Sequence, residues 1–272
     1  MARRLAAVGL ALALAACGGS TTVDPDVGAG PGGSTGPTGP TVPSPSVLVA
    51  GGRAGRWTVE VRSDRSLGTG IAALEVHVTG DGGAVVSDAV LAFEARRPST
   101  GLVAPVTNGP RIEADGAYHL DASIAEAASV DAGWTFRVEV TRAGEQAVAT
   151  FAGLPVADRR LAGTFTDGDK TTILAVRFES GLRVGSNPIT VTLHEVRSGA
   201  AAVPVGDAIV HVEPYMPSMG HGSTGSVDPV PAGSPGTYAG SLFFSMPGDW
   251  DTTFTIARAG SEVGRAIIAV VF

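Results

Sequence analysis

The sequence predicts an all-β protein: two tandem immunoglobulin-like β-sandwiches after a signal peptide and a disordered linker. Three observations predict it. Short runs alternate apolar and polar residues, as in Trp57-Thr58-Val59-Glu60-Val61, Leu74-Glu75-Val76-His77-Val78 and Ile189-Thr190-Val191-Thr192-Leu193. That period of two, with much β-branched content, marks half-buried strands. The runs are separated by Gly, Pro, Asp and Ser, the residues of tight turns. The framework of the first half then returns in the second, and many short strands in two such units fit sandwiches. Only Ile124 to Val130 hints at a helical turn.

The elements follow in chain order. Residues 1–16 read as a lipoprotein signal peptide. Arg3 and Arg4 are basic, and Leu5 to Ala16 is an apolar run too short to span a bilayer. The run ends in Leu14-Ala15-Ala16-Cys17-Gly18, which resembles a bacterial lipobox. The resemblance implies cleavage before Cys17, a diacylglycerol thioether on its sulfur and an acyl chain on its new amino group. Chains in that number anchor a protein to a membrane stably. An ordinary signal peptide with an incidental cysteine is the alternative. The expected address is the bacterial cell envelope, outside the cytoplasm, on the outer membrane facing the periplasm if the cell is Gram-negative. Cys17 is the single cysteine of the 272 residues. No disulfide, cysteine-based zinc site or thiol nucleophile is therefore available to the mature chain.

Residues 17–47 form the lipidated cysteine and a Gly/Pro/Ser/Thr tether, for example Gly28-Ala29-Gly30-Pro31-Gly32-Gly33-Ser34. Such a composition buries too little apolar surface to offset its ordering entropy. Its expected reach is on the order of 30 Å. Residues 48–160 are assigned to the first module and 161–272 to the second. Roughly 255 residues after cleavage suffice for two domains. The net charge of −7 argues against nucleic acid, whose phosphates need a basic face.

The duplication is specific. Asp88-Ala89-Val90-Leu91-Ala92-Phe93-Glu94 parallels Asp207-Ala208-Ile209-Val210-His211-Val212-Glu213, and Pro98-Ser99 parallels Pro217-Ser218. Gly116-Ala117-Tyr118 matches Gly236-Thr237-Tyr238, Trp134 matches Trp250, and Arg142-Ala143-Gly144 matches Arg258-Ala259-Gly260.

Against that framework the second module carries candidate donors that the first lacks. Met216-Pro217-Ser218-Met219-Gly220-His221-Gly222 gathers two thioethers and an imidazole, and Met246-Pro247-Gly248-Asp249 offers a third sulfur. Soft thioethers with a borderline imidazole suit copper, Cu(I) above all. Fully extended, Met216 to His221 would span roughly 17 Å, so the loop must curl for its donors to share an ion. Pro217, Gly220 and Gly222 permit that. Aligned on the prolines and tryptophans, the first module places Arg97, Thr100, Leu102 and Val130 opposite Met216, Met219, His221 and Met246. Arg97 and Thr100 suggest surface positions, where packing alone does not call for methionine. Two other readings stand beside the metal: methionines packing a loop, and a methionine-rich protein contact. An imidazole ligates only when neutral, so uptake is expected to weaken below about pH 6.

The other histidines carry less. His211 points to the wetter face of its strand with Glu213, while His77, His119 and His194 read as surface residues. Asp167-Gly168-Asp169 reads as a turn between domains rather than a calcium loop. No nucleophile elbow, phosphate loop or His-Glu-x-x-His is present, so no enzyme is expected.

Together, the strand Asp207 to Pro214, the Met216–Gly222 loop, Gly236-Thr237-Tyr238 and Phe244-Ser245-Met246-Pro247-Gly248-Asp249-Trp250 resemble YtkA-like domains. The resemblance covers residues 165–272 well and reaches the first module only through its framework. It implies a small immunoglobulin-like sandwich of exported bacterial proteins, found beside copper-handling proteins, with Met-Pro-x-Met-Gly-His as its most specific mark. The expectation is a membrane-anchored lipoprotein that binds or relays copper through Met216, Met219, His221 and Met246. A copper-handling or envelope protein would be its partner. A metal-free interaction or spacer module is the alternative.

Overall fold

The computed structural model describes residues 47–197 and 200–272. The signal peptide, Cys17 and nearly all of the tether lie outside the described residues. Residues from Pro43 to Phe272 fall into one compact unit.

Alternating patterns become strands where they were expected. The first module contains β1 (Val47–Ala54), β2 (Trp57–Ser63), β3 (Gly70–Thr79), β4 (Val90–Arg97), β5 (Leu102–Ala104), β6 (Val106–Ile112), β7 (Tyr118–Ile124), β8 (Trp134–Arg142) and β9 (Glu145–Leu154). They form two antiparallel sheets, β1-β2-β3-β7-β6 and β5-β4-β8-β9. The second module contains β10 (Ala162–Asp167), β11 (Lys170–Phe178), β12 (Gly185–Val196), β13 (Val203–Pro204), β14 (Ile209–Met216), β15 (His221–Gly222), β16 (Val227–Pro231), β17 (Thr237–Phe244), β18 (Asp249–Arg258) and β19 (Ser261–Val271). Its sheets run β10-β11-β12-β17-β16, with β13 on β12, and β15-β14-β18-β19. The two strand orders are identical apart from β13. The chain is therefore all-β, two tandem immunoglobulin-like sandwiches.

Each sandwich closes on its own core, built by every second residue of facing strands. In the first, Val59 and Val61 of β2 and Leu74, Val76 and Val78 of β3 meet Trp134, Phe136 and Val138 of β8. In the second, Leu174, Val191, Tyr238 and Phe244 meet Val210, Val212, Trp250 and Phe254. A buried tyrosine pins one corner of each sandwich. The Tyr118 hydroxyl accepts the Ala89 N–H at 2.9 Å. Tyr238 accepts from Ala208 at 3.1 Å and donates to the Val205 carbonyl at 2.7 Å. The two bonds reach 29 and 30 residues back along the chain, to equivalent places just before β4 and β14.

The helical turn falls later than expected, as a 3-10 turn at Val130–Ala132, and a second 3-10 turn that was not expected lies at Asp81–Gly83. Residues 168 and 169 form the tight hairpin between β10 and β11, inside the second module rather than between domains.

Polar contacts join the modules. Ser123 of β7 and Thr192 of β12 share a buried hydroxyl bond of 2.8 Å. Arg177 of β11 donates to Asp121 of β7 at 2.8 Å. The connecting segment is bonded on the way across. Thr69 N–H donates to the Ala157 carbonyl at 2.9 Å, and Arg159 N–H to the Thr69 hydroxyl at 2.9 Å.

Candidate metal-binding end of the distal module

Strand pairing brings the two methionine segments to the same end of the distal sandwich. β14 turns back through Pro217–Gly220 into β15, and Met216 pairs with His221 across that hairpin. The Met246–Asp249 turn joins β17 to β18, and β18 is the neighbour of β14. The two segments touch. The Ser218 hydroxyl donates to Asp249, which holds that carboxyl below its ordinary pKa. The Met216 methyl lies against Gly248, where a Cβ would come within 2.8 Å of it. Gly248 has φ +144°, a backbone setting that also favours glycine.

The four expected donors stand in different environments. Met219 is 62% exposed at the tip of the hairpin. His221 is half-buried, its ring edge-on to Trp250 at 6.0 Å, with Nδ1 3.0 Å from the Gly222 carbonyl oxygen. Met246 is half-buried against the core, and its carbonyl accepts the Trp250 indole N–H at 3.1 Å. Met216 is only 1% exposed and belongs to the core. That corrects the surface position inferred for it from Arg97. An arginine can pack its stem while pairing its head. Arg97 does so, at 20% side-chain exposure beside Glu126.

The first module shows what this end looks like with other side chains. Its hairpin has the same backbone: Gly101 N–H donates to the Arg97 carbonyl at 2.8 Å, as Gly220 donates to Met216 at 2.9 Å. Gly101 and Gly220 both take positive φ, +73° and +69°. Arg97 and Thr100 both bond Glu126. The Trp134 indole N–H donates to the Glu126 carbonyl at 2.9 Å, as Trp250 does to Met246. Met246 therefore corresponds to Glu126, not to Val130. The 3-10 turn at Val130–Ala132 lengthens this loop and hides the match from a gapless alignment. An ion pair, a hydroxyl and Leu102 in one module are three thioethers and an imidazole in the other.

His211 lies exposed on the outer face, as expected. Its Nδ1 is 2.9 Å from Asp228 Oδ2, and that bond raises its pKa above the ordinary value. Three other histidines depart from the surface reading. His77 and His119 of the first module each face carboxylates.

His194 of β12 is buried, and its Nδ1 has no partner among the described residues. With Thr107, Asn108, Pro204 and Ser234 it lines a cleft of about 770 Å³ between the modules. Burial pushes the His194 imidazole from 6.5 down to about 4. Between those values the unfolded chain holds a proton that the folded chain does not. The folded state is therefore expected to lose about 3 kcal/mol as pH falls from 6.5 to 4, with no further loss from this group below 4. Urea unfolding at pH 7, 5.5 and 4 measures it, and His194→Leu is expected to flatten the profile by that amount.

The arrangement defines a class: a double immunoglobulin-like sandwich with thioether and imidazole donors at the end of its distal module. Residues 168–255 match the YtkA-like family model. The distal module is a YtkA-like domain. No curated protein matches the chain. Among solved structures, the Escherichia coli adhesin FdeC is 18% identical with a TM-score of 0.26, covering 81% of this chain and 65% of that one. A DUF4785 family protein of Legionella pneumophila is 11% identical with a TM-score of 0.29, covering 80% and 56%. A titin immunoglobulin tandem is 10% identical with a TM-score of 0.19, covering 76% and 89%. The chain thus spans less than two-thirds of the length of the first two.

Proposed function

We propose that this chain is a lipid-anchored extracytoplasmic protein, held by Cys17, whose distal module binds or relays Cu(I) at its methionine end. One observation carries the reading. On the same hairpin and turn that hold Arg97, Thr100, Leu102 and Glu126 in the first module, the second holds Met216, Met219, His221 and Met246. All four positions changed to donors that suit a soft ion. Met219 is the donor open to solvent and would take the ion first, with the half-buried His221 next. Met246 supplies a half-buried sulfur beside them, and Met216 underlies the site from the core. The role is non-catalytic, with a copper-handling protein of the envelope as partner.

The test is a Cu(I) titration of the full chain, under reducing conditions and against a competing chelator. The comparison is a variant with Met216→Leu, Met219→Leu and His221→Gln. The intact chain is expected to take up one equivalent and the variant to bind at least a hundredfold more weakly. Equal, negligible uptake by both would overturn the copper reading. A second reading rests on exposure. Met219 and Tyr215, at 62% and 47%, present an apolar tip to solvent. A metal-free protein contact through that tip is what the negative titration would leave.

A further inference from the structure

We propose that the first module carries a separate site for a divalent transition ion of the zinc type, built from Glu75, Asp115 and His119. One carboxylate oxygen each of Glu75 and Asp115 and a ring nitrogen of His119 lie within 4.8 Å of one another. Strand register makes the site. Glu75 of β3 sits directly opposite His119 of β7, with both side chains on the sheet face turned away from the Val76 and Leu120 core. Asp115 comes from the turn before β7, where its Oδ1 accepts the Ala117 N–H at 3.0 Å. Its Oδ2 lies 3.1 Å from His119 Nε2.

Glu75 is the second and independent observation. Its side chain is only 4% exposed. Oε2 is 3.0 Å from His77 Nε2, yet Oε1 is buried with no hydrogen-bond partner among the described residues. A carboxylate oxygen withdrawn from water and left unpaired calls for a cation or a donor. His77 then stands as the group that orients Glu75, as outer hydrogen bonds orient metal ligands elsewhere. Glu113, 3.8 Å from His119 Nε2, adds negative charge at the rim, offset by its pairing with Arg111.

An imidazole with carboxylates suits zinc and its neighbours better than magnesium or calcium, which favour all-oxygen shells. Bond lengths of roughly 2.1 Å put tetrahedral donors about 3.4 Å apart. Asp115 Oδ2 and His119 Nε2 already lie 3.1 Å apart, and with all three donors within 4.8 Å, rotation of the half-exposed Asp115 and the His119 ring can bring them to that spacing with Glu75. Among the described residues the distal module lacks the set. By register, Thr190 and Ala239 stand where Glu75 and His119 do, each pair lying one step from the corner tyrosine.

The experiment is a Zn²⁺ titration of the full chain, after chelator treatment, against a chromogenic competitor in excess Mg²⁺. Wild type is expected to bind one equivalent and to melt at a higher temperature with Zn²⁺. His119→Gln is expected to bind at least tenfold more weakly and to lose that melting shift. Glu75→Gln is expected to behave alike, and His119→Gln keeps the test open should the buried change unfold the module. A Met219→Leu, His221→Gln variant is expected to bind Zn²⁺ like wild type, which separates this site from the copper end. No uptake by wild type, uptake equal in His119→Gln, or displacement by Mg²⁺ would each overturn the proposal.

Discussion

Met216→Arg alone is expected to destabilise the protein by about 3–5 kcal/mol, because it drives an unpaired charge into the distal core. Adding Met246→Glu is expected to recover about 1–3 kcal/mol of that loss. The reason lies in the first module, where Arg97 and Glu126 pair at the same two backbone positions. A double-mutant cycle in urea reads the coupling between the two sites directly. The double variant should also lose Cu(I) uptake while keeping the fold. Additive losses, with no recovery, would show that the two ends differ in more than their side chains.

Trp250→Ala is expected to cost about 3–5 kcal/mol, the usual range for emptying a buried tryptophan site. Trp250 is fully buried, packs on Phe244 at 5.3 Å and carries the His221 ring on its edge. Its indole also fixes the Met246 carbonyl. The same change should therefore weaken Cu(I) binding, since it frees one donor segment and removes the surface under another. Trp134→Ala is the control. It holds the equivalent bond to Glu126 and should cost a similar stability in thermal unfolding without touching copper uptake.

The fold was legible because the sandwich writes itself into alternation. Val59 and Val61, or Val210 and Val212, appear at every second position and all are buried. The duplication was legible because its markers are turn and corner residues, Gly116 with Tyr118 and Gly236 with Tyr238, which geometry ties to fixed places. The methionine end was legible as a list of donors, but not as a shape. Met216 could not be read as buried, since arginine at the matching position packs its stem and so looks like surface. Met246 found its true counterpart, Glu126, only through a shared indole bond. The cluster around Glu75 left no trace in spacing, because His119 comes from a strand far along the chain and meets Glu75 only by register. His194 looked like an ordinary polar residue of a strand, and only the meeting of the two modules encloses it.

The stitched passage between the modules bears on how a partner would be gripped. Backbone bonds at Thr69, Ala128, Val156 and Ala157 hold the connecting segment to the first sandwich, and the Ser123–Thr192 and Arg177–Asp121 contacts cross from there to the second. A protein that touches both halves at once meets a surface already set, and the entropy of aligning them was lost when the chain folded. Substituting Ser123 or Asp121 would restore swivelling, and would weaken two-point attachment while sparing a ligand that needs only one half.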